Sequence, residues 1–441
     1  MSRWGIDRHR IAVALAAVRG GADEWADDEG SDEPGVLDEL FARAIWAVLV
    51  EPGDSVAGGL IAAVGPVTAA RMVIDRASPS ILSEATRGEI SVERAADGLL
   101  RWTERLRADD VLRSLDGAAR CGARMIVPGD AHWPHGVEAL RDSQPVLLWA
   151  RGEIELLRRP GIALVGARAA TGYGEHVAME LAAGLCARDV VVVSGGAYGI
   201  DGMAHRAALA SGGATIAVLA GGIDRLYPSG HEALLTRVAE QGLLLSEVPC
   251  GTAPTKWRFL QRNRLIAVLS SATVVVEAGR RSGALNTAHH ALDAGLPVGI
   301  VPGPITSAAS AGCHAFLRDK PATCVTSVAE IMQLAFEGDG VLDIPDPVEP
   351  GRPEQLAPDD PGAGAPRADP LLGRVLDALR PRRGQTASEI ARSVGEGTSR
   401  IHGALGMLDL DGVAVLGADG LWRRAPAPRP AREKSSVAST T

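Results

Sequence analysis

The chain has 441 residues and is 46% hydrophobic, which suggests two to four domains with a sizeable core; no run of 18 apolar residues and no apolar signal core occur, so the sequence predicts a cytoplasmic protein with no membrane span. Its five cysteines (Cys121, Cys186, Cys250, Cys313 and Cys324) include no CxxC pair and read as reduced thiols packed in the fold, with no metal site and no cofactor expected. The net charge of −9 excludes a uniformly basic nucleic-acid binder, but residues 23–33 carry seven acids and residues 337–369 a net −7, which leaves the remainder near +5 and compatible with a polyanion partner.

Residues 1–35 end in the acidic run and are expected to be a mobile segment. Residues 36–117 have a helical pattern. Within them, Val64-Gly65-Pro66 precedes an apolar-periodic stretch in GGLIAAVGPVTAARMVIDR (58–76). This turn reads either as helix–hairpin–helix, whose amides can meet a DNA phosphate, or as plain helix packing. Strands are expected near Arg124–Val127 and Val146–Trp149.

Six short apolar runs follow, each ending in glycine or charged residues: IALVG (162–166), VVVVSGG (190–196), TIAVLAGG (215–222), LLLSE (243–247), TVVVEA (273–278) and VGIVPG (298–303). Each is too short for a buried helix and rich in Val, Ile and Leu, so each predicts a buried parallel strand. Ala-rich stretches of helical length separate them. The pattern gives an α/β domain over 118–336, an extended Rossmann-like, doubly wound parallel sheet.

The Pro-, Gly- and acid-rich stretch 337–369 reads as a disordered linker. Over 370–424, LLGRVLDAL (371–379), TASEIARSVG (386–395) and TSRIHGALGMLDLDG (398–412) predict three helices, the second opened by a Thr386–Glu389 capping box. A hairpin around Asp419-Gly420 follows, which gives the winged-helix plan. The third helix carries Arg400 and His402 but also Asp409 and Asp411, so DNA contact and protein docking both stay open for this unit. Residues 425–441 read as a disordered tail.

Open α/β sheets bind ligands at the carboxyl ends of their strands. There the first strand enters GARAATGYG (166–174). This turn is not GxGxxG, and no acid stands some 20 residues on, so dinucleotide binding is disfavoured. Arg168 offers a charged fork for phosphate. The second strand ends in the amide-rich turn Ser194-Gly195-Gly196. Asp201 and His205, four residues apart, read as loop braces. The densest signal is KWRFLQRNRLIAVLS (256–270). Phe259 stands among Lys256, Arg258, Arg262 and Arg264, with Asn263 between two arginines. An aromatic ring flanked by cations suits an unpaired base with its phosphates neutralised alongside. Ser282 and Gly283 open a further helix as another anion site.

Over about 120–330 the ordered motifs GAR…TGYG, SGGAYGID…AH, GGIDRLYP, SEVP, FLQRNRLIAVLS and VVVEAGRRSGALNTA resemble the DNA-processing protein A (DprA/Smf) family of recombination mediators. The resemblance implies binding of single-stranded DNA without sequence specificity, protection of the incoming strand during DNA processing and natural transformation, and its delivery to RecA by a homodimer. It implies that Arg168 and the Ser194–Gly196 turn hold phosphate. Lys256 and Phe259 would supply a cation and a stacking ring. Arg262, Asn263 and Arg264 would line the same groove, which Ser282-Gly283 would close. The chain departs from the family pattern at Tyr198, His231 and Gly312-Cys313-His314, which puts those contacts in doubt. The fold is also similar to that of nucleotide phosphoribohydrolases. Where those enzymes carry a glutamate after their glycine turn, this chain has His289 and His290, and Glu277 precedes the turn. A binding protein without catalytic residues is therefore expected over a hydrolase.

Overall fold

The computed structural model describes residues 4–19, 35–336, 370–380, 383–410, 413–417 and 419–425. The acidic run 23–33, the linker 337–369 and residues 426–441 of the tail lie outside the described residues. The chain divides into a large N-terminal unit and a small C-terminal one.

The large unit begins with six helices: α1 (Arg8–Arg19), α2 (Val36–Leu49), α3 (Ser55–Ile74), α4 (Pro79–Ala85), α5 (Val92–Thr103) and α6 (Ala108–Arg120). The expectation of a mobile segment over 1–35 is corrected by α1. Its Ile11, Leu15 and Val18 recur at helical spacing and are buried, and Arg19 pairs with Asp130 at 2.9 Å. The acids that suggested mobility begin only at Asp23, beyond this helix.

Helix α3 meets the length and hydropathy needed to cross a membrane. It is nonetheless broken in the middle, where Gly65 has φ 78° and ψ 158° ahead of Pro66. Only glycine adopts such an angle without strain. Trp46 donates its indole N–H to the Pro66 carbonyl at 3.1 Å, and Val56, Ala57, Leu60, Val67, Ala69, Ala70 and Val73 are buried. Asp54 caps α3 through the Val56 and Ala57 amides and accepts from the Trp102 indole at 3.0 Å. Trp102 in turn packs edge-on to Trp46 at 5.2 Å. One carboxylate thus ties the start of α3 to α5 and to the aromatic core.

The sheet follows: β1 (Arg124–Ile126), β2 (Leu148–Gly152), β3 (Gly161–Gly166), β4 (Val191–Ser194), β5 (Thr215–Leu219), β6 (Leu243–Ser246), β7 (Ala272–Glu277), β8 (Val298–Ile300) and β9 (Thr323–Cys324). Its order is β1-β2-β6-β5-β4-β3-β7-β8-β9. Strands β3 to β9 run parallel, whereas β2 pairs antiparallel with both β6 and β1. The sheet is therefore mixed, mostly parallel and Rossmann-like, rather than parallel throughout. Strands β3 to β8 match the six apolar runs, and all but Gly166 at the end of β3 are buried along their length.

The connecting helices are α7 (Gly172–Cys186), α8 (Ile200–Ala210), α9 (Glu232–Gln241), α10 (Lys256–Val268), α11 (Ala284–Asp293), α12 (Ala311–Asp319) and α13 (Val328–Phe336). The strand order reverses between β3 and β7, so the crevice at their carboxyl ends is the switch point of the sheet.

The small unit contains α14 (Pro370–Ala378), α15 (Ala387–Val394), α16 (Thr398–Leu410) and the antiparallel pair β10 (Ala414–Leu416) and β11 (Trp422–Arg424). The Thr386–Glu389 capping box forms, and Val375, Ile390, Ile401 and Leu405 build a separate core.

Candidate nucleic-acid interface

Two strand-end turns rich in backbone N–H groups flank the switch point, and each already holds a carboxylate of the protein itself. At the end of β7, Glu277 is buried. It accepts the Thr171 amide at 2.8 Å and the Thr171 hydroxyl at 2.7 Å. Thr171 in turn caps α7 through the Gly174 amide. At the end of β4, the Asp201 carboxylate of α8 accepts the Gly195 amide at 3.1 Å and also bonds the Ala197 amide. Burial pushes the Asp201 carboxyl upward, against the opposing charges of Arg262 and Arg168. Of the amides expected to meet phosphate at Ser194–Gly196, that of Gly195 is thus taken by Asp201. Ser194 is itself fully buried and donates to the Leu164 carbonyl at 2.6 Å, while Gly196 offers its carbonyl to His231 at 3.0 Å.

Helix α10 carries the rest of the site. Thr255 caps it through the Arg258 amide. The helix stands over the strand ends because its last two turns, from Arg262 to Val268, are buried. Arg262 is only 5% exposed. It donates to the carbonyls of Gly195, at 2.7 Å, and of Val218, clamping the ends of β4 and β5. A Cβ on Gly195 would stand 2.5 Å from that guanidinium, which would have to shift and loosen the clamp. Burial lowers Arg262 to about 10, with Asp201 opposing the fall.

Arg264 is also corrected from groove to interior. It pairs with Glu247 at 2.7 Å, with both side chains almost wholly buried. Asn263 is buried and donates to the Gly283 carbonyl at 3.3 Å and to Asn286 at 3.2 Å, fastening α10 to the opening of α11. Arg258 binds Glu51 at 2.7 and 2.9 Å, docking α10 onto the helical part of the unit. Three of the four cations around Phe259 therefore hold the fold. The charge run signalled them correctly as a cluster, but helical register turned Arg262 and Arg264 inward.

Exposed on this face are Arg168 and Lys256, together with Arg280, Arg281 and Gly283 beside the half-buried Ser282. The half-buried Phe259 ring has two guanidinium groups over it, 4.7 Å away for Arg168 and 5.7 Å for Arg262. Tyr227, from the loop after β5, meets it at 5.8 Å. Sequence reading did not single out Tyr227 or Trp257 as site residues. Trp257 is 56% exposed at the start of α10, and its place inside the cation run was the available signal. Tyr198 and His231, two of the departures from the family pattern, are both buried and pack edge-on at 4.8 Å. His314 bonds the Gly303 carbonyl at 3.0 Å.

The braces expected of Asp201 and His205 are present. His205 is fully buried and bonds Thr215 at 2.7 Å, and the Thr215 hydroxyl donates to the Val192 carbonyl. Among the described residues no cluster of His, Cys, Asp and Glu has a metal-binding arrangement.

Fold and site together define a mostly parallel α/β protein with an aromatic and cationic face at its strand ends. Residues 124–336 match the family of DNA recombination-mediator protein A. The chain is 43% identical over 400 residues to a putative DNA processing protein DprA of Mycobacterium tuberculosis, covering 87% of this chain and 94% of that one. It is 37% identical over 274 residues to protein Smf of Escherichia coli, covering 60% and 71%. The solved structure of DNA processing protein A from Streptococcus pneumoniae is 28% identical, with a TM-score of 0.53, over 67% of this chain and 96% of that one. The chain belongs to the DprA/Smf family of DNA-processing proteins.

Proposed function

We propose that this protein is a recombination mediator that binds single-stranded DNA across the strand-end face, shields it, and passes it to RecA, working as a homodimer in the cytoplasm. The observation that carries the reading is the Phe259 ring, stacked under the exposed Arg168 guanidinium at the ends of the strands. Bases of a single strand expose their faces to such a ring, and duplex hides them. Binding exchanges the Arg168–ring contact for an Arg168–phosphate contact and frees the ring for a base. Lys256 takes a neighbouring phosphate, and the Ser282-Gly283 opening of α11 another. Arg262, Asn263, Arg264 and the Ser194–Gly196 turn act from behind, by fixing α10 on the sheet. The small C-terminal unit serves as a winged helix.

The function requires no chemical step. A hydrolase would need a free carboxylate over the crevice, and both oxygens of Glu277 are engaged by Thr171. The test is RecA filament assembly on single strands coated with single-strand-binding protein. The full chain should accelerate it, Arg168→Ala with Phe259→Ala should not, and removal of residues 370–441 should spare most of it. Release of free base from nucleoside monophosphates, without any effect on RecA, would reverse the reading.

A further inference from the structure

Cys121 and Cys250 are far apart in sequence and meet where the helical part of the large unit touches the sheet. Cys121 follows α6, and its amide bonds the Gly117 carbonyl one turn back. Cys250 lies in the loop between β6 and α10 and packs against that same turn. A Cβ on Gly117 would stand 2.9 Å from the Cys250 Cβ and 3.9 Å from its sulfur. Both side chains are half-buried in one apolar cluster, neither is in a disulfide, and the Cys121 thiol donates to the Ala118 carbonyl at 3.3 Å.

We propose that Cys121 and Cys250 form an oxidisable dithiol, in which Cys121 reacts with a peroxide and Cys250 resolves the product as a disulfide. The neighbouring Cys250 thiol lowers Cys121 below the ordinary thiol value, against burial; Arg151 assists and Asp224 opposes. Of the two, Cys121 is therefore the thiol that ionises first, and the thiolate is the reactive form. By contrast, burial pushes Cys186 up and Cys313 up to about 11.

The Cys121 thiolate attacks one peroxide oxygen, the O–O bond breaks, and hydroxide leaves and takes up a proton. Cys121 is then a sulfenic acid. Cys250 is held protonated mainly by its contact with Cys121 and by burial. Loss of the Cys121 negative charge removes the first of these. The Cys250 sulfur attacks the Cys121 sulfur, the S–O bond breaks, and the hydroxyl leaves as water with the Cys250 proton. Two thiols are oxidised and one peroxide is reduced to two waters. The bond ties α6 to the loop that leads into α10.

The test treats the reduced full chain with equimolar hydrogen peroxide, caps the remaining thiols, and maps peptides without reductant. The account expects the Cys121–Cys250 linked peptide as the main product, with Cys186, Cys313 and the exposed Cys324 still capped. In Cys250→Ser, dimedone should trap a sulfenic acid on Cys121. In Cys121→Ser, both the link and the dimedone adduct should be lost. Oxidation at Cys324 ahead of Cys121, or no dimedone adduct in Cys250→Ser, would overturn the proposal.

Discussion

Phe259→Ala carries the sharpest quantitative consequence, because the ring has different partners in the free and bound states. In the free protein it lies 4.7 Å from Arg168, an exposed cation–π contact worth about 0.5–1 kcal/mol. In the complex it stacks on a base, worth about 1–3 kcal/mol. Binding gives up the first to gain the second. Phe259→Ala should therefore weaken single-strand binding by a net of up to about 2.5 kcal/mol, or up to about 70-fold in Kd.

In an Arg168→Ala background the free-state contact is already absent, so the same substitution should cost the full stacking term. The double-mutant cycle should accordingly show a coupling of about 0.5–1 kcal/mol, with Phe259→Ala more damaging when Arg168 is missing. Fluorescence anisotropy with a labelled oligonucleotide at fixed salt measures all four corners. Thermal melts of the same proteins report folding, which a half-buried ring should alter little. Equal Kd values with and without the ring, in both backgrounds, would refute the exchange of partners and the stacking role together.

Arg168→Ala alone should make the slope of log Kd against log salt shallower by about one, as loss of a single phosphate contact requires. Arg264→Ala should act on folding instead: it leaves Glu247 buried without its partner, a loss of about 3–5 kcal/mol measured by denaturant titration. Acid should destabilise the fold through His205, which burial holds down to about 3 from an ordinary 6.5. The unfolded chain binds this proton first, so stability is full above 6.5 and falls as the pH drops toward 3, by up to about 1.4 kcal/mol per pH unit. Denaturant midpoints across that range should show the fall, and His205→Gln should flatten it. A wild-type profile level between pH 6.5 and 4 would count against the buried neutral ring.

The alternation of apolar runs carried the sheet into view, because a buried parallel strand requires Val, Ile and Leu on both faces. β9 escaped, since two exposed residues, Thr323 and Cys324, have no period. The antiparallel edge also escaped, because strand direction depends on the path of the chain on both sides of β2 rather than on β2 itself. α1 was obscured by the acids that follow it. At the strand ends, the exposure of Arg168 and Lys256 could be read directly, since a turn and a helix start leave side chains outward. Arg262 and Arg264 could not. A buried arginine and an exposed one look alike in a cationic run, and only the carbonyls of Gly195 and Val218 and the carboxylate of Glu247 distinguish them. The same is true of the amide-rich turns. Their glycines announced an anion, and one such amide, that of Gly195, already holds Asp201 of the chain itself.

The most direct test of the central claim is a binding titration of the full chain against single-stranded and duplex oligonucleotides of equal length over a salt series. The account predicts clear preference for the single strand, with log Kd rising linearly in log salt as phosphate contacts are lost to counterions. Equal affinity for the two forms, or affinity indifferent to salt, would contradict it.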